Sequence, residues 1–246
     1  MGGFLSPGRR QAGLVLLCFH HAGGGASLFH GWQEHLGPEI SVWPVLLPGR
    51  ERRVREARYT DIADLVHDLA TELSPELERP YAIFGHSMGA LIAYRFTALR
   101  LARGERPPSA VYLSACAPPD SPRDDLPRDA CDQQLLDWLI ALGGIPTELL
   151  SHPQLLELSI PVLRDDLHLC RPRVDLDAPA LTCPVHVFGG AHDRLVTAGS
   201  LREWKEVSNC DPEPVLFEGG HFYLSGGHPE LMKKIRSSLV EGGDTE

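Results

Sequence analysis

The 246-residue sequence has no C-x-x-C pair, no long hydrophobic run and no excess of basic charge. Its cysteines stand apart at Cys18, Cys116, Cys131, Cys170, Cys183 and Cys210, and none joins histidines at zinc-site spacing, so no metal is expected. Scattered thiols of this kind fit a reducing compartment, and a cytoplasmic protein is expected. The longest clean apolar run, Leu14–Phe19, falls far short of the ~20 residues that span a bilayer. It also lacks the length and the small-residue cleavage site of a signal peptide, so no membrane association is expected. Lys plus Arg number 23 against 33 Asp plus Glu, a formal net charge of −10. Such a field repels phosphate and argues against a nucleic-acid partner. With 43% hydrophobic residues the chain has the composition of a folded protein rather than a disordered one.

What is present is an alternation of strand and helix. Leu14–Phe19, ending in a glycine cluster, reads as a strand buried on both faces. Ser41–Leu47 is a second strand, with Pro44 marking an edge or a bulge. Asp61–Leu73 carries Ile62, Leu65, Val66, Leu69, Ala70 and Leu73 on one helical face behind a capping Thr60 or Asp61. Strand Tyr81–Phe84, helix Met88–Arg103 and strand Ala110–Ala115 follow. The rhythm then breaks. Residues 118–180 hold no convincing strand, and helical patterns appear at Leu135–Leu142 and Gln154–Leu169. It resumes with strand Pro184–Phe188, a helix over Ala198–Val207, strand Pro214–Phe217 and helix Pro229–Val240. Strands separated by helices imply a mostly parallel sheet with helices on both faces. The chain is expected to form one α/β domain over 1–246, with 118–180 as a helical insertion within it.

Gly85-His86-Ser87-Met88-Gly89 is a G-x-S-x-G sequence between a strand and a helix, the context of a nucleophile elbow. Small residues flanking the serine let the chain turn sharply and push Ser87 Oγ into a cleft at the carboxyl edge of the sheet. A serine hydroxyl is a weak nucleophile and needs a general base. His221, in Gly219-Gly220-His221-Phe222 after the last strand, is best placed among the histidines. His20 and His21 precede the glycine cluster, His86 adjoins the serine, and His228 reads as a helix-start residue. The base needs an orienting carboxylate. Asp193 is the first acid beyond strand Pro184–Phe188, whereas Asp211 precedes its strand and falls at the opposite sheet edge. The order Ser87…Asp193…His221 is that of the α/β-hydrolase class. For the oxyanion, the Met88 N–H is one expected donor. The loop His21-Ala22-Gly23-Gly24-Gly25 offers the second, Ala22 first and Gly23 as its rival. A phosphate-cradling loop is the other reading of these glycines, but the G-x-G-x-x-G pattern and a P-loop lysine are missing.

Taken together, Phe19-His20-His21-Ala22-Gly23-Gly24, Leu47-Pro48-Gly49-Arg50, the elbow, Gly190-Ala191-His192-Asp193 and Gly219-Gly220-His221-Phe222 resemble the type II thioesterases. These stand-alone enzymes accompany polyketide synthases, non-ribosomal peptide synthetases and animal fatty acid synthase. The resemblance runs from about Leu14 to Val240; His20 departs from it, since the family often has proline there. It implies an α/β-hydrolase fold and hydrolysis of acyl thioesters carried on the phosphopantetheine arm of carrier proteins, to edit stalled or misprimed assembly lines. No cofactor of the enzyme's own is implied, and a monomer is expected. Carboxylesterase or lipase activity on oxygen esters, or acyl transfer, would use the same three residues. A catalytically silent binding protein is disfavoured by the intact set.

Two regions carry further expectations. The insertion would form a lid, with Leu135, Trp138, Leu139, Leu142, Leu155, Leu158 and Leu163 either lining an acyl tunnel or packing the lid onto the sheet. The stretch Arg50–Arg58 holds five Arg and two Glu, a local charge of +3 in an acidic chain. Arg50, Arg52, Arg53 and Arg55 are candidates for guiding an acidic carrier protein; a solvated loop before the next helix is the alternative.

Overall fold

The computed structural model describes residues 3–5, 13–121, 126–127, 129–145, 153–170, 179–225 and 228–240, the side chains of residues 153 and 155 excepted. Its centre is a six-stranded sheet ordered β2-β1-β3-β4-β5-β6, from β1 (Leu14–Phe19), β2 (Ile40–Pro44), β3 (Tyr81–His86), β4 (Val111–Ser114), β5 (Val185–Gly190) and β6 (Val215–Phe217). Every pairing is parallel, from Leu14 opposite Ile40 to Gly190 opposite Phe217. The expected parallel α/β architecture is the one observed. Parallel strands must be covered on both faces, and the period-two alternation of β1 shows how. Val15, Leu17 and Phe19 pack with α2 (Ile62–Leu73) and α3 (Met88–Ala102). Leu16 and Cys18 face the other way, into a layer with α1 (Trp32–Leu36) and α7 (Pro229–Val240). Each fully buried Leu or Phe contributes about 1.5–3 kcal/mol.

Boundaries depart from expectation where local chemistry intervenes. The second strand stops at Pro44, which pairs with Cys18, and the strand lies at the sheet edge. A proline has no N–H to continue the ladder. Val45 and Leu46 stay buried but donate to Cys18 O at 2.9 Å and Phe4 O at 2.9 Å. β3 and β5 run two residues further than expected, to His86 and Gly190, which carries both strand ends up to the site. In the helix after β5 only Ala198–Arg202 (α6) is α-helical, and Glu203–Val207 tightens to a 3-10 turn. The helix at Asp61 begins as read, its carboxylate accepting from Ala63 N at 2.8 Å.

The expected insertion is described in part. α4 (Asp132–Ala141) starts earlier than the apolar pattern suggests, because Gln134 Oε1 accepts from the Cys131 N–H at 2.9 Å and closes the first turn. α5 (Pro153–Leu169) packs on it through Leu135, Ile160, Leu163 and Leu167, with Ala22 from the loop after β1 against this cluster. No helix among the described residues is long and apolar enough to cross a membrane.

Candidate active site

Ser87 sits between β3 and α3 with φ 55° and ψ −116°, a left-handed conformation that a serine rarely adopts. The strain is held by close backbone packing. A Cβ on Gly85 would stand 2.6 Å from the Ala90 Cα. One on Gly89 would stand 2.5 Å from the Phe19 carbonyl carbon and 2.8 Å from His20 O. Only glycine lets the first turn of α3 press against the end of β1. The Ser87 N–H is tied to Ser114 O at 2.8 Å, and Ser87 O accepts from Ala90 N at 2.9 Å as the helix starts.

Ser87, Asp193 and His221 come together at the carboxyl edge of the sheet. Ser87 Oγ lies 2.9 Å from His221 Nε2, and His221 Nδ1 lies 2.8 Å from Asp193 Oδ2. The Asp193 carboxylate only accepts, so Nδ1 carries the proton and Nε2 presents its lone pair to the serine hydroxyl. Asp193 is oriented in turn: its Oδ1 accepts from Leu195 N at 2.8 Å and Val196 N at 3.2 Å, and its side chain is fully buried. The loops that carry Asp193 and His221 meet because Gly190 has no side chain. A Cβ there would stand 2.7 Å from Gly219 O, and His192 N donates to that same oxygen at 2.9 Å.

The competing histidines have other duties. His192 is exposed and pairs with Glu218 at 3.0 Å. His228 O accepts from Met232 N at 3.0 Å as α7 begins. His21 Nδ1 donates to Ala22 O at 2.9 Å while its ring meets Phe222 edge-on; burial pushes its pKa down to about 4, so it stays neutral. His20 is buried, and desolvation holds it well below the ordinary histidine range.

His86 is a residue that sequence reasoning passed over. It is fully buried, and burial again pushes its pKa well below the usual value. Its Nε2 lies 2.9 Å from His221 O, a pure acceptor, so Nε2 donates. Nδ1 is then the acceptor for the Ser114 hydroxyl at 2.8 Å, and Ser114 Oγ receives the Tyr223 hydroxyl at 2.6 Å. A buried polar chain therefore holds the backbone of His221 from the strand side. The signal available in the sequence was the histidine inside the elbow motif itself.

Around the oxyanion position, Met88 opens α3, where first-turn amides have no helical acceptor. Of the loop amides, Gly23 N donates to Asp166 Oδ2 at 2.8 Å and Gly24 N to His21 O at 3.0 Å. Ala22, the first-choice donor, lines the same cavity as Ser87 and His221.

That cavity measures about 200 Å³. Of the residues read as either lining a tunnel or packing the lid, Trp138, Leu139 and Leu163 line it, joined by Leu126 and Leu167. Leu135 instead packs between α4 and α5, Leu158 is 73% exposed on the outer face of α5, and Leu142 is not among the lining residues. The Leu155 side chain lies outside the described residues. No group of three or more His, Cys, Asp or Glu among the described residues could hold a metal.

The arginine-rich stretch does not form one exposed patch. Arg50 and Arg53 are 8% and 7% exposed. Arg50 makes a two-pronged pair with Asp166 at 2.6 and 2.8 Å. Arg53 donates to Leu46 O at 2.9 Å and to Glu56 at 2.6 Å, over the ring of Phe4. Both turn inward onto these acceptors, Arg50 from the extended residue before the 3-10 turn Glu51–Arg53 and Arg53 from its last position. Arg52 and Arg55 are exposed, Arg52 also donating to Leu5 O at 3.1 Å.

A family model described as thioesterase domain matches residues 15–239. The chain is 32% identical over 233 residues to the gramicidin S biosynthesis protein GrsT of Aneurinibacillus migulanus, covering 93% of this chain and 90% of that one. It is 33% identical over 242 residues to the medium-chain S-acyl fatty acid synthase thioesterase of Homo sapiens, covering 94% and 88%. Among solved structures, the RedJ thioesterase from the prodiginine biosynthetic pathway in Streptomyces coelicolor is similar at a TM-score of 0.87 and 34% identity, over 93% of this chain and 87% of that chain.

Proposed function

The chain belongs to the thioesterase family, and from that premise we propose that it hydrolyses acyl thioesters held on the phosphopantetheine arm of carrier proteins, clearing stalled or misprimed groups from polyketide or non-ribosomal peptide assembly lines. It is a serine hydrolase of the α/β-hydrolase fold. The observation that carries the reading is the unbroken hydrogen-bond chain Ser87–His221–Asp193, its serine opening into an apolar cavity.

His221 takes the Ser87 proton as Oγ attacks the thioester carbonyl. Negative charge develops on the carbonyl oxygen, where the Met88 and Ala22 amides meet it; one such donor is worth about 3–4 kcal/mol. The C–S bond breaks and the pantetheine sulfur leaves with the proton from His221. A thiol has a pKa of ~8.5, so its departure needs less acid assistance than an alcohol's. Water then gives a proton to His221 and its hydroxyl to the acyl carbon; the bond from that carbon to Ser87 Oγ breaks, Oγ takes the proton back from His221, and the carboxylic acid leaves. Asp193 holds the imidazole tautomer throughout. The pantetheine arm arrives with the substrate, and the chemistry requires no resident cofactor or metal.

α4 and α5 form a lid over the acyl group, and opening of these helices admits the arm. The domain acts as a monomer in the cytoplasm, with no membrane or nucleic-acid partner. Of the arginine stretch, Arg52 and Arg55 remain as the guides for an acidic carrier, since Arg50 and Arg53 face inward.

The test loads a carrier protein with several acyl groups and follows their release by intact mass, comparing wild type with Ser87→Ala. Loss of the acyl mass with wild type alone is the expected result. Carrier thioesters left intact while simple oxygen esters are cleaved would replace this reading with an esterase.

A further inference from the structure

We propose that Arg50 and Asp166 are positioning residues for the oxyanion donor: together they lock the loop after β1 onto α5, so that the Ala22 amide faces Ser87. The inference rests on the serine-hydrolase reading above and deepens it.

Asp166 lies on α5 and is 1% exposed. Its Oδ2 accepts from the Gly23 N–H at 2.8 Å and from Arg50 Nη1 at 2.6 Å, while its Oδ1 accepts from Arg50 Nη2 at 2.8 Å. The same guanidinium donates from Nη1 to Gly24 O at 3.2 Å and from Nε to Pro48 O at 3.2 Å. One buried fork thus fixes an amide and two carbonyls of two separate loops. Arg58 adds a second bridge to α5, its Nε 2.6 Å from Asp165 Oδ2.

The energetics favour a geometric role over a stabilising one. Burying two charges costs about as much solvation as their attraction returns, and a well-packed apolar pair is often equally stable. What an apolar pair cannot do is hold the Gly23 N–H. That amide follows Ala22 directly, so the peptide plane that Asp166 grips shares its α-carbon with the proposed donor. The loop contains three consecutive glycines, Gly23, Gly24 and Gly25, and has no helix or ladder of its own to orient it. An oxyanion donor acts only if it is aimed before charge develops. α5 also supplies Leu163 and Leu167 to the cavity wall. The helix that touches the acyl chain is therefore the helix that aims the amide.

The experiment uses the full chain. Arg50→Met with Asp166→Leu replaces the pair by apolar side chains of similar size. With an acyl-N-acetylcysteamine thioester, kcat is expected to fall about 10- to 100-fold, the scale of a misplaced donor, while KM stays within about threefold. Affinity for an alkyl boronic acid, which forms a tetrahedral anion on Ser87, should fall in step with kcat. A merely structural pair would lower the melting temperature and leave kcat per folded molecule unchanged. If the double variant does not fold, Asp166→Asn keeps the size and one acceptor oxygen, and a kcat loss of about tenfold is expected of it. A folded variant with wild-type kcat and boronate affinity overturns the proposal. Ser87→Ala separates the two levels: turnover surviving in Ser87→Ala overturns the serine mechanism itself, whereas Ser87-dependent turnover untouched by the Arg50 and Asp166 changes overturns only the brace.

Discussion

Gly89→Ala tests the elbow at the point where the two proposed oxyanion donors meet. The added methyl would run into the Phe19 carbonyl oxygen and would lie 2.5 Å from its carbon and 2.8 Å from His20 O, whereas ordinary contact begins at 3.4 Å. All three obstacles are backbone, so no side chain can swing aside. The first turn of α3 must therefore retreat from the end of β1 by more than the roughly 0.9 Å that the Phe19 carbonyl carbon alone demands. Met88 rides on that turn, and Ala22 lies just beyond His20 on the other side of the gap. The methyl consequently drives the two amides apart and carries Ser87 away from His221. A displacement near 1 Å at a reacting centre costs on the order of 10²-fold in rate, about 2.7 kcal/mol in transition-state terms. Overpacking also destabilises the fold by about 1–3 kcal/mol. The assay is kcat and KM on a small acyl thioester at a temperature where circular dichroism shows the variant folded. Gly13→Ala, where nothing lies within 4 Å, serves as the neutral control. A folded Gly89→Ala enzyme within threefold of wild-type kcat would refute the argument that this contact sets the site's geometry.

Other consequences follow from the same geometry. His86→Ala leaves His221 O and the Ser114 hydroxyl without their partner, so a stability loss of about 1–3 kcal/mol and a kcat loss of about tenfold are expected; denaturant titration and turnover with an unchanged KM check both. The buried His20 and His86 are held neutral well below pH 6.5, so the unfolded chain takes up protons first as pH falls. Stability is then complete above pH 6.5 and declines at about 1.4 kcal/mol per pH unit per histidine below it. Between pH 6.5 and 5.5 the melting temperature should drop by roughly 5–10 °C, and a flat profile would contradict their neutral burial. Trp138→Ala enlarges the cavity beyond its present 200 Å³, and competition between short and long acyl thioesters should shift toward the longer one. Arg52→Glu with Arg55→Glu should raise KM for a carrier-bound thioester several-fold at low salt and leave a small thioester untouched, the signature of electrostatic steering.

The elements that could be read from the sequence are those whose signal is local. β1 was legible at both ends because Leu14–Phe19 is an unbroken apolar run between Gly13 and His20, and α7 because Pro229 suits a first helical turn. Pro44 marked an edge or a bulge for the same reason, and the edge is what the sheet shows. α1 was missed because five residues, Trp32–Leu36, cannot display a helical period. The site divides in the same way. Ser87, Asp193 and His221 each follow a strand, and parallel strands deliver their carboxyl ends to one edge, so topology alone brings the three loops together. Nothing comparable marks Asp166. It lies 116 residues from Arg50, inside a helix whose periodicity gives no reason to single it out, and only tertiary packing makes it a partner.

The arginine stretch shows where charge arithmetic stops being informative. A local +3 over Arg50–Arg58 describes how much charge the chain carries there, not which way it points. Direction is set by what each side chain meets in the fold: Arg50 reaches Asp166 on α5 and Arg53 reaches Leu46 O and Glu56, while Arg52 and Arg55 lie on the exposed side of the segment. The inward pair finds Asp166, Glu56 and backbone carbonyls already waiting; the outward pair is exposed, with Arg52 also donating to Gly3 O and Leu5 O. A segment that looks uniform in composition therefore serves two purposes. Arg50 shapes the site from within through Asp166, and Arg52 and Arg55 present the positive surface that an acidic carrier would meet. Reversing all of these charges together would confound docking with catalysis, whereas reversing the outward pair alone isolates docking. The brace and the surface are separable because different arginines carry them.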